Sequence, residues 1–208
     1  MKPIIYAAAF EKGYTPNTIL WDVETTFPTE TGAYNPHNYD GGEHGYLTMR
    51  KALQGSLNIA AVKTMYLVGV NKALDFTDRL GYTTLGDRSR FGLSLVLGGG
   101  EVSMNDHLRA YSTFANNGLK HETVGILKIE DSKGEVLEEW KAEDHPGEQV
   151  VDKNIAATLT NVLSDNNARA YVFGTNSALQ LGGRPVAAKT GTTNDFNDAW
   201  TMGYTPSL

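Results

Sequence analysis

Apolar residues run almost unbroken through "KPIIYAAAFEKG" (2–13), which predicts a short buried helix stopped by Gly13. From Tyr14 to Gly45 the pattern dissolves into a polar, Pro- and Gly-rich stretch that includes "PTETGAYNPHNYDGGEHG", which predicts a long loop. Loops of that length usually have a task, here walling a binding cleft. Helical spacing returns in "LTMRKAL", "NIAAVKTMYLVG" and "NKALDFTDRLG", the last with Gly81 as its stop. Ser103 is placed to cap a helix that carries Met104, Leu108, Tyr111 and Ala115 on one face and stops at Gly118. The segment "TVGILKIEDSKGEVLEEW" alternates in part around an Asp-Ser-Lys-Gly turn and predicts a hairpin. Asp152 opens a further helix, with Ile155, Leu159 and Val162 at helical spacing, and "RPVAAKTGT" and "DAWTMGYTP" close the chain as strands. Helices that precede and separate locally paired strands give an α+β fold, an antiparallel sheet packed between helices.

Composition narrows the chemistry. A chain of 208 residues with 40% hydrophobic content is long enough for one domain with a real core. Its net charge of −6 and lack of a basic patch argue against nucleic acid, whose phosphates need clustered Lys and Arg. The absence of cysteine rules out a disulfide framework and a thiolate zinc site. No apolar run approaches the roughly 18 residues of a membrane span, and the first residues carry no signal-peptide pattern.

Three short motifs carry chemistry. In "AAKTGTT", the Lys189 ammonium suits a carboxylate and the Thr190 hydroxyl can add a hydrogen bond to it. Gly191 leaves room for a substrate backbone, and the Thr192 N–H can face a developing oxyanion, a large term in acyl transfer. By itself the tripeptide also fits an ordinary edge strand. In "QGSLNIAAV", Ser56 and Asn58 stand two apart before a helix, where both can face one cleft while Leu57 packs inward; either would equally serve as a plain helix cap. Lys2 precedes Pro3 at the first turn of the opening helix, positioned to enter the same cleft or simply to meet solvent.

In chain order the motifs match S-x-x-K, S-x-N and K-T-G of the penicillin-binding proteins and serine β-lactamases. With "YNPHNYDGGEHGYLTMRKALQGSLNIAAV", "LGGGEVSMNDHLRAYSTFANNG" and "AAKTGTTNDFNDAWTMGYTP", the chain resembles the transpeptidase domain of class A, bifunctional penicillin-binding proteins over essentially its whole length. The "YNPHNYDG" loop and the Asp198–Trp200 stretch favour that class over β-lactamases. The resemblance implies a serine acyl transfer on the D-Ala-D-Ala end of peptidoglycan stem peptides, with β-lactams as mimics and no metal or other cofactor called for. It makes Lys2 the base, Ser56 the proton relay and Asn58 the group that holds Lys2 and the substrate amide. Lys189 and Thr190 then hold the carboxylate, Gly191 and Thr193 line the substrate, and Thr192 N–H forms half of the oxyanion hole. A free lysine titrates near 10.4, so a base working near neutrality needs about 4 kcal/mol of destabilisation of its charged form, from burial and a neighbouring cation such as Lys189.

One departure stands out. The family's nucleophile lies three residues before the S-x-x-K lysine, which for Lys2 falls ahead of Met1, and no other lysine here has a serine at that distance. The expectation is therefore a partial transpeptidase domain, 1–208, truncated at both ends and inactive alone. Its glycosyltransferase domain and membrane anchor would lie outside it, and its parent would work at the extracytoplasmic face of the membrane with the cell-wall synthesis machinery. A D,D-carboxypeptidase or β-lactamase would use the same motifs with water as acceptor, and a β-lactam sensor or scaffold would keep them without turnover. "LGGGEVSMN" lacks the Lys-Ser/Thr ending of a phosphate loop, and His37 and His44 around "NYDGGE" read as loop residues rather than metal ligands.

Overall fold

The computed structural model describes residues 1–29, 32–193 and 198–207. The four residues of "NDFN" (194–197), part of a stretch used for the resemblance, lie outside that set, as do residues 30 and 31 of the polar segment and residue 208. The chain opens with α1 (Lys2–Glu11), in which every residue from Pro3 to Phe10 is buried. A helix apolar on all sides belongs inside a domain, and α1 is the central helix here. Around it pack α3 (Asn58–Val68), α4 (Val70–Leu80) and α6 (Lys153–Leu163), with α2 (Met49–Gln54) beside them. Side chains such as Ile4, Ile5, Leu53, Met65, Leu74 and Phe76 are essentially inaccessible, each contributing about 1.5–3 kcal/mol on burial.

Several ends follow the sequence closely. Thr48 caps α2 through Lys51 N, Ser103 caps α5 (Met104–Ala115) through Asp106 N, and Asp152 caps α6 through Asn154 N. Gly81 ends α4 in the left-handed region, at φ +91.

The strands differ more from expectation. The predicted long loop contains β1 (Ile19–Asp22) and a small hairpin of β2 (Phe27–Thr29) and β3 (Gly32–Tyr34), and β4 (Gly45–Thr48) takes residues assigned above to the loop's end and the next helix. Strand β1 pairs antiparallel with β4. The antiparallel component is divided among the described residues into five two-stranded ladders rather than one continuous sheet. Strands β5 (Leu119–Lys120) and β8 (Glu148–Gln149) form a short ladder. Between them projects the predicted hairpin, β6 (Lys128–Glu130) and β7 (Val136–Glu139), exposed on both faces, with Asp131 Oδ1 closing its turn by accepting from Lys133 N and Glu135 N. A helix absent from the sequence reading, α7 (Asn166–Phe173), follows α6 and is capped by Asp165. The closing pair is as expected: β9 (Ala187–Thr192) and β10 (Ala199–Tyr204), packed on α5 and α6.

Candidate active site

The three motifs meet at the N-terminal end of α1. Lys2 sits in its first turn, Ser56 in the α2–α3 turn, Asn58 at the start of α3 and Lys189 in β9. Lys2 Nζ donates to Asn58 Oδ1 at 2.7 Å, to Ser56 O at 2.5 Å and to Ser56 Oγ at 3.2 Å. Lys189 Nζ reaches the same hydroxyl at 2.8 Å and donates to Thr190 O at 2.6 Å. One serine hydroxyl thus bridges two amines from opposite ends of the chain.

Ser56 adopts φ +57, a left-handed conformation that costs a residue with a Cβ about 1–2 kcal/mol. Such strain is kept where the surroundings impose it, and here it aims Oγ between the two amines.

Both amines lose proton affinity. Burial, then the positive charge of Lys189, then a smaller opposing pull from Asp22 leave Lys2 well below its ordinary value. The N-terminal end of α1 adds helix-dipole repulsion in the same sense. Lys189 is 6% exposed, and burial followed by the Arg169 cation brings it down to about 8.

Strand β9 presents an edge to this cluster. Thr193 N donates to Asp198 O at 3.0 Å. In an antiparallel ladder bonded and open positions alternate, so Gly191 and Lys189 also turn their backbone groups toward β10. Ala188, Thr190 and Thr192 turn theirs to the other edge. There Ala188 O accepts from Arg169 at 3.3 Å and Thr190 O from Lys189, and the Thr192 N–H faces the same edge. Side chains alternate between faces as well. Lys189 and Thr190 leave β9 on opposite faces, so a carboxylate held by both has to lie over the strand edge. The Thr193 hydroxyl accepts from Asp198 N at 2.8 Å and is engaged in the turn.

Three further residues shape the site and were not picked out from the sequence. Arg169 of α7, 2% exposed, donates to Leu163 O at 2.6 Å and to Asn166 Oδ1. Asp22 of β1 and Asn38 of the following loop are buried and contact the start of α3. Among the described residues no cluster of His, Asp and Glu has the arrangement of a metal site. A cavity of about 320 Å3 lined by Lys120, His121, Trp140 and His145, among others, includes none of the site residues.

Residues 1–207 match the family model described as the penicillin binding protein transpeptidase domain. The chain belongs to this family. It is 34% identical over 214 residues to penicillin-binding protein 1A of Neisseria flavescens, covering all of this chain and 26% of that protein. Penicillin-binding protein 1A of Aquifex aeolicus is 36% identical over 211 residues, again over the whole chain and 27% of the relative. The chain therefore spans about a quarter of the length of the curated relatives it matches. Among solved structures, the penicillin-binding protein PonA1 of Mycobacterium tuberculosis superposes with a TM-score of 0.81 at 26% identity, covering 99% of this chain and 56% of that one. The same protein in complex with penicillin V gives 0.78 at 26% identity, over 99% of this chain and 56% of that one. The cluster formed by Lys2, Ser56, Asn58 and Lys189 lies within the part of the chain that matches this family. No helix among the described residues is long and apolar enough to cross a membrane.

Proposed function

We propose that this chain carries the proton-handling and carboxylate-binding parts of a peptidoglycan D,D-transpeptidase site, which bind D-Ala-D-Ala stem peptides and β-lactams. The observation that carries the reading is the Ser56 hydroxyl held between Lys2 and Lys189, two amines whose proton affinity is lowered. Lys2, lowered well below its ordinary value, is the neutral base that takes the proton of an attacking serine. Lys189, still mostly charged at neutral pH, receives the substrate carboxylate along the β9 edge together with Thr190. Ser56 passes the proton from Lys2 toward the leaving amine, and Asn58 holds Lys2 and the substrate amide. Gly191 lets the substrate backbone lie against β9, and the Thr192 N–H stabilises the oxyanion. Thr193 supports that edge by closing the turn to Asp198. The acyl group then passes to an amine of a neighbouring strand, forming the crosslink. The nucleophile is a serine upstream of Lys2, in a parent protein that also supplies a glycosyltransferase domain and a membrane anchor and acts on the extracytoplasmic side.

Removing the nucleophile of a serine hydrolase costs on the order of a millionfold in rate. Incubated with penicillin G and analysed by intact mass, residues 1–208 are expected to show no covalent adduct. The product of the gene read from upstream, with a serine two codons before Met1, is expected to be acylated on that serine. A stoichiometric adduct on Ser56, or an unmodified longer product, would overturn the assignment.

A further inference from the structure

Helix α3 starts without a local cap. The residue before it is Leu57, which has no polar side chain, and the Ser56 hydroxyl is occupied by the two lysines. The first amides of a helix have no partner within it, so they must find one elsewhere. Here they find it 21 or more residues upstream at two of three positions. Asn38 Oδ1 accepts from Asn58 N at 2.7 Å and from Ile59 N at 3.2 Å, and Asp22 Oδ1 accepts from Ala60 N at 3.0 Å. The capping groups also hold each other. Asn38 Nδ2 donates to Asp22 Oδ2 at 2.6 Å, and His44 N donates to the same oxygen at 3.2 Å. Asp22 is wholly inaccessible and Asn38 is 6% exposed. A carboxylate is buried at high cost unless it is fully bonded, and at a helix N-terminus it also meets the positive end of the dipole.

We propose that Asp22 is a positioning residue of this site: with Asn38 it holds the first turn of α3 so that Asn58 meets Lys2. Asn58 is pinned from both ends by the arrangement, its backbone N–H on Asn38 and its Nδ2 on His37 O at 3.0 Å, which aims Oδ1 at Lys2. The charged and titratable groups around Lys2 are Lys189 on β9, the Met1 amino group beside it on α1, and Asp22 on β1. Tyr6 of α1 and Lys63 of α3 face Asp22 in turn. The Lys189 charge depresses proton binding at Lys2, and Asp22 opposes it. Without Asp22 the amine titrates lower, and its first contact, Asn58, loses its hold.

The inference depends on the functional reading for its meaning, but its test requires no turnover. In chain labelled with 13C-lysine, the Lys2 Cε resonance is assigned with Lys2→Arg and titrated in the parent and in Asp22→Asn. The expected result is a midpoint about one pH unit lower in Asp22→Asn, a tenfold loss of proton affinity. A purely structural role lowers the melting temperature and leaves the midpoint in place, so a folded Asp22→Asn with an unmoved Lys2 titration overturns the proposal. The new amide also sets a donor against Asn38 Nδ2. If that prevents folding, Asp22→Glu, which keeps the charge and displaces the cap, is examined by hydrogen exchange. Faster exchange at the Asn58, Ile59 and Ala60 amides, by about tenfold, supports the proposal, and unchanged exchange overturns it. Failure of penicillin to label the longer, serine-containing product would sink the functional reading and leave this titration result standing.

Discussion

Replacing Lys189 by Met offers a quantitative check on the electrostatics of the site. Lowering this amine from its ordinary 10.5 to about 8 corresponds to roughly 3 kcal/mol held against the charged form, at about 1.4 kcal/mol per tenfold change in proton affinity. Because the folded value lies below the unfolded one, the unfolded chain holds the extra proton between about pH 8 and 10.5, so stability contributed by this residue rises with pH across that window. Below the window both states are protonated and the full cost of the buried charge is present. Met fills similar space without charge, so Lys189→Met is expected to be more stable than the parent at pH 7. Its lead should narrow by about 2 kcal/mol by pH 9.5, as the parent sheds its buried charge. Lys2 titrates in the same sense and is itself lowered by the Lys189 charge, so its proton affinity rises in the variant, which gains less stability with pH and narrows the lead further. Tyr82 and Tyr111 are pushed upward by burial and act above this range. Urea unfolding at pH 7 and pH 9.5, with equal slopes in both chains, measures the difference. A constant gap between variant and parent at the two pH values would refute the argument that Lys189 is buried charged.

Other consequences can be measured separately. Arg169→Met removes the cation beside Lys189, and the Lys189 NMR titration should move upward from about 8 by about one unit; no movement would exclude the Arg169 contribution. Ser56→Ala and Ser56→Gly both delete the hydroxyl, but only Gly relaxes the left-handed φ, so the Gly variant should be the more stable by about 1 kcal/mol in urea unfolding. A Cβ at Gly118 would stand 2.0 Å from Val151 O at φ +89, so Gly118→Ala should cost about 3 kcal/mol or more and lower the melting temperature clearly.

The helical half of the fold was legible because its cues are local. The apolar run of α1, the Ser103 and Asp152 caps and the Gly81 stop each lie within a few residues of what they control. The strands between 19 and 48 were not, and β1 shows why. Its alternation runs against the usual sense: Leu20 and Asp22 are buried, while Ile19 and Trp21 are 55% and 53% exposed. Trp21 stacks on Tyr46 of the neighbouring strand at 5.4 Å, so its apolar face is covered by a partner 25 positions on. The site divides the same way. Lys2, Ser56, Asn58 and Lys189 stand in motifs that can be read in one dimension, and they converge in three. Asp22, Asn38 and Arg169 are buried by partners elsewhere along the chain, and nothing in "ILWD" or "NNARAYVF" distinguishes Asp22 or Arg169 from surface residues.

The placement of Lys2 on the innermost helix has a mechanical side. Its amine is mounted on the most deeply buried part of the molecule, whereas β9 belongs to a two-stranded ladder and carries Lys189 on a lighter mount. A ligand gripping both would act as a clasp between a fixed post and a movable arm. Occupancy should then damp opening of the β9–β10 ladder while leaving α1 as it was, so the fingerprint of a bound ligand would lie in the arm and not in the core.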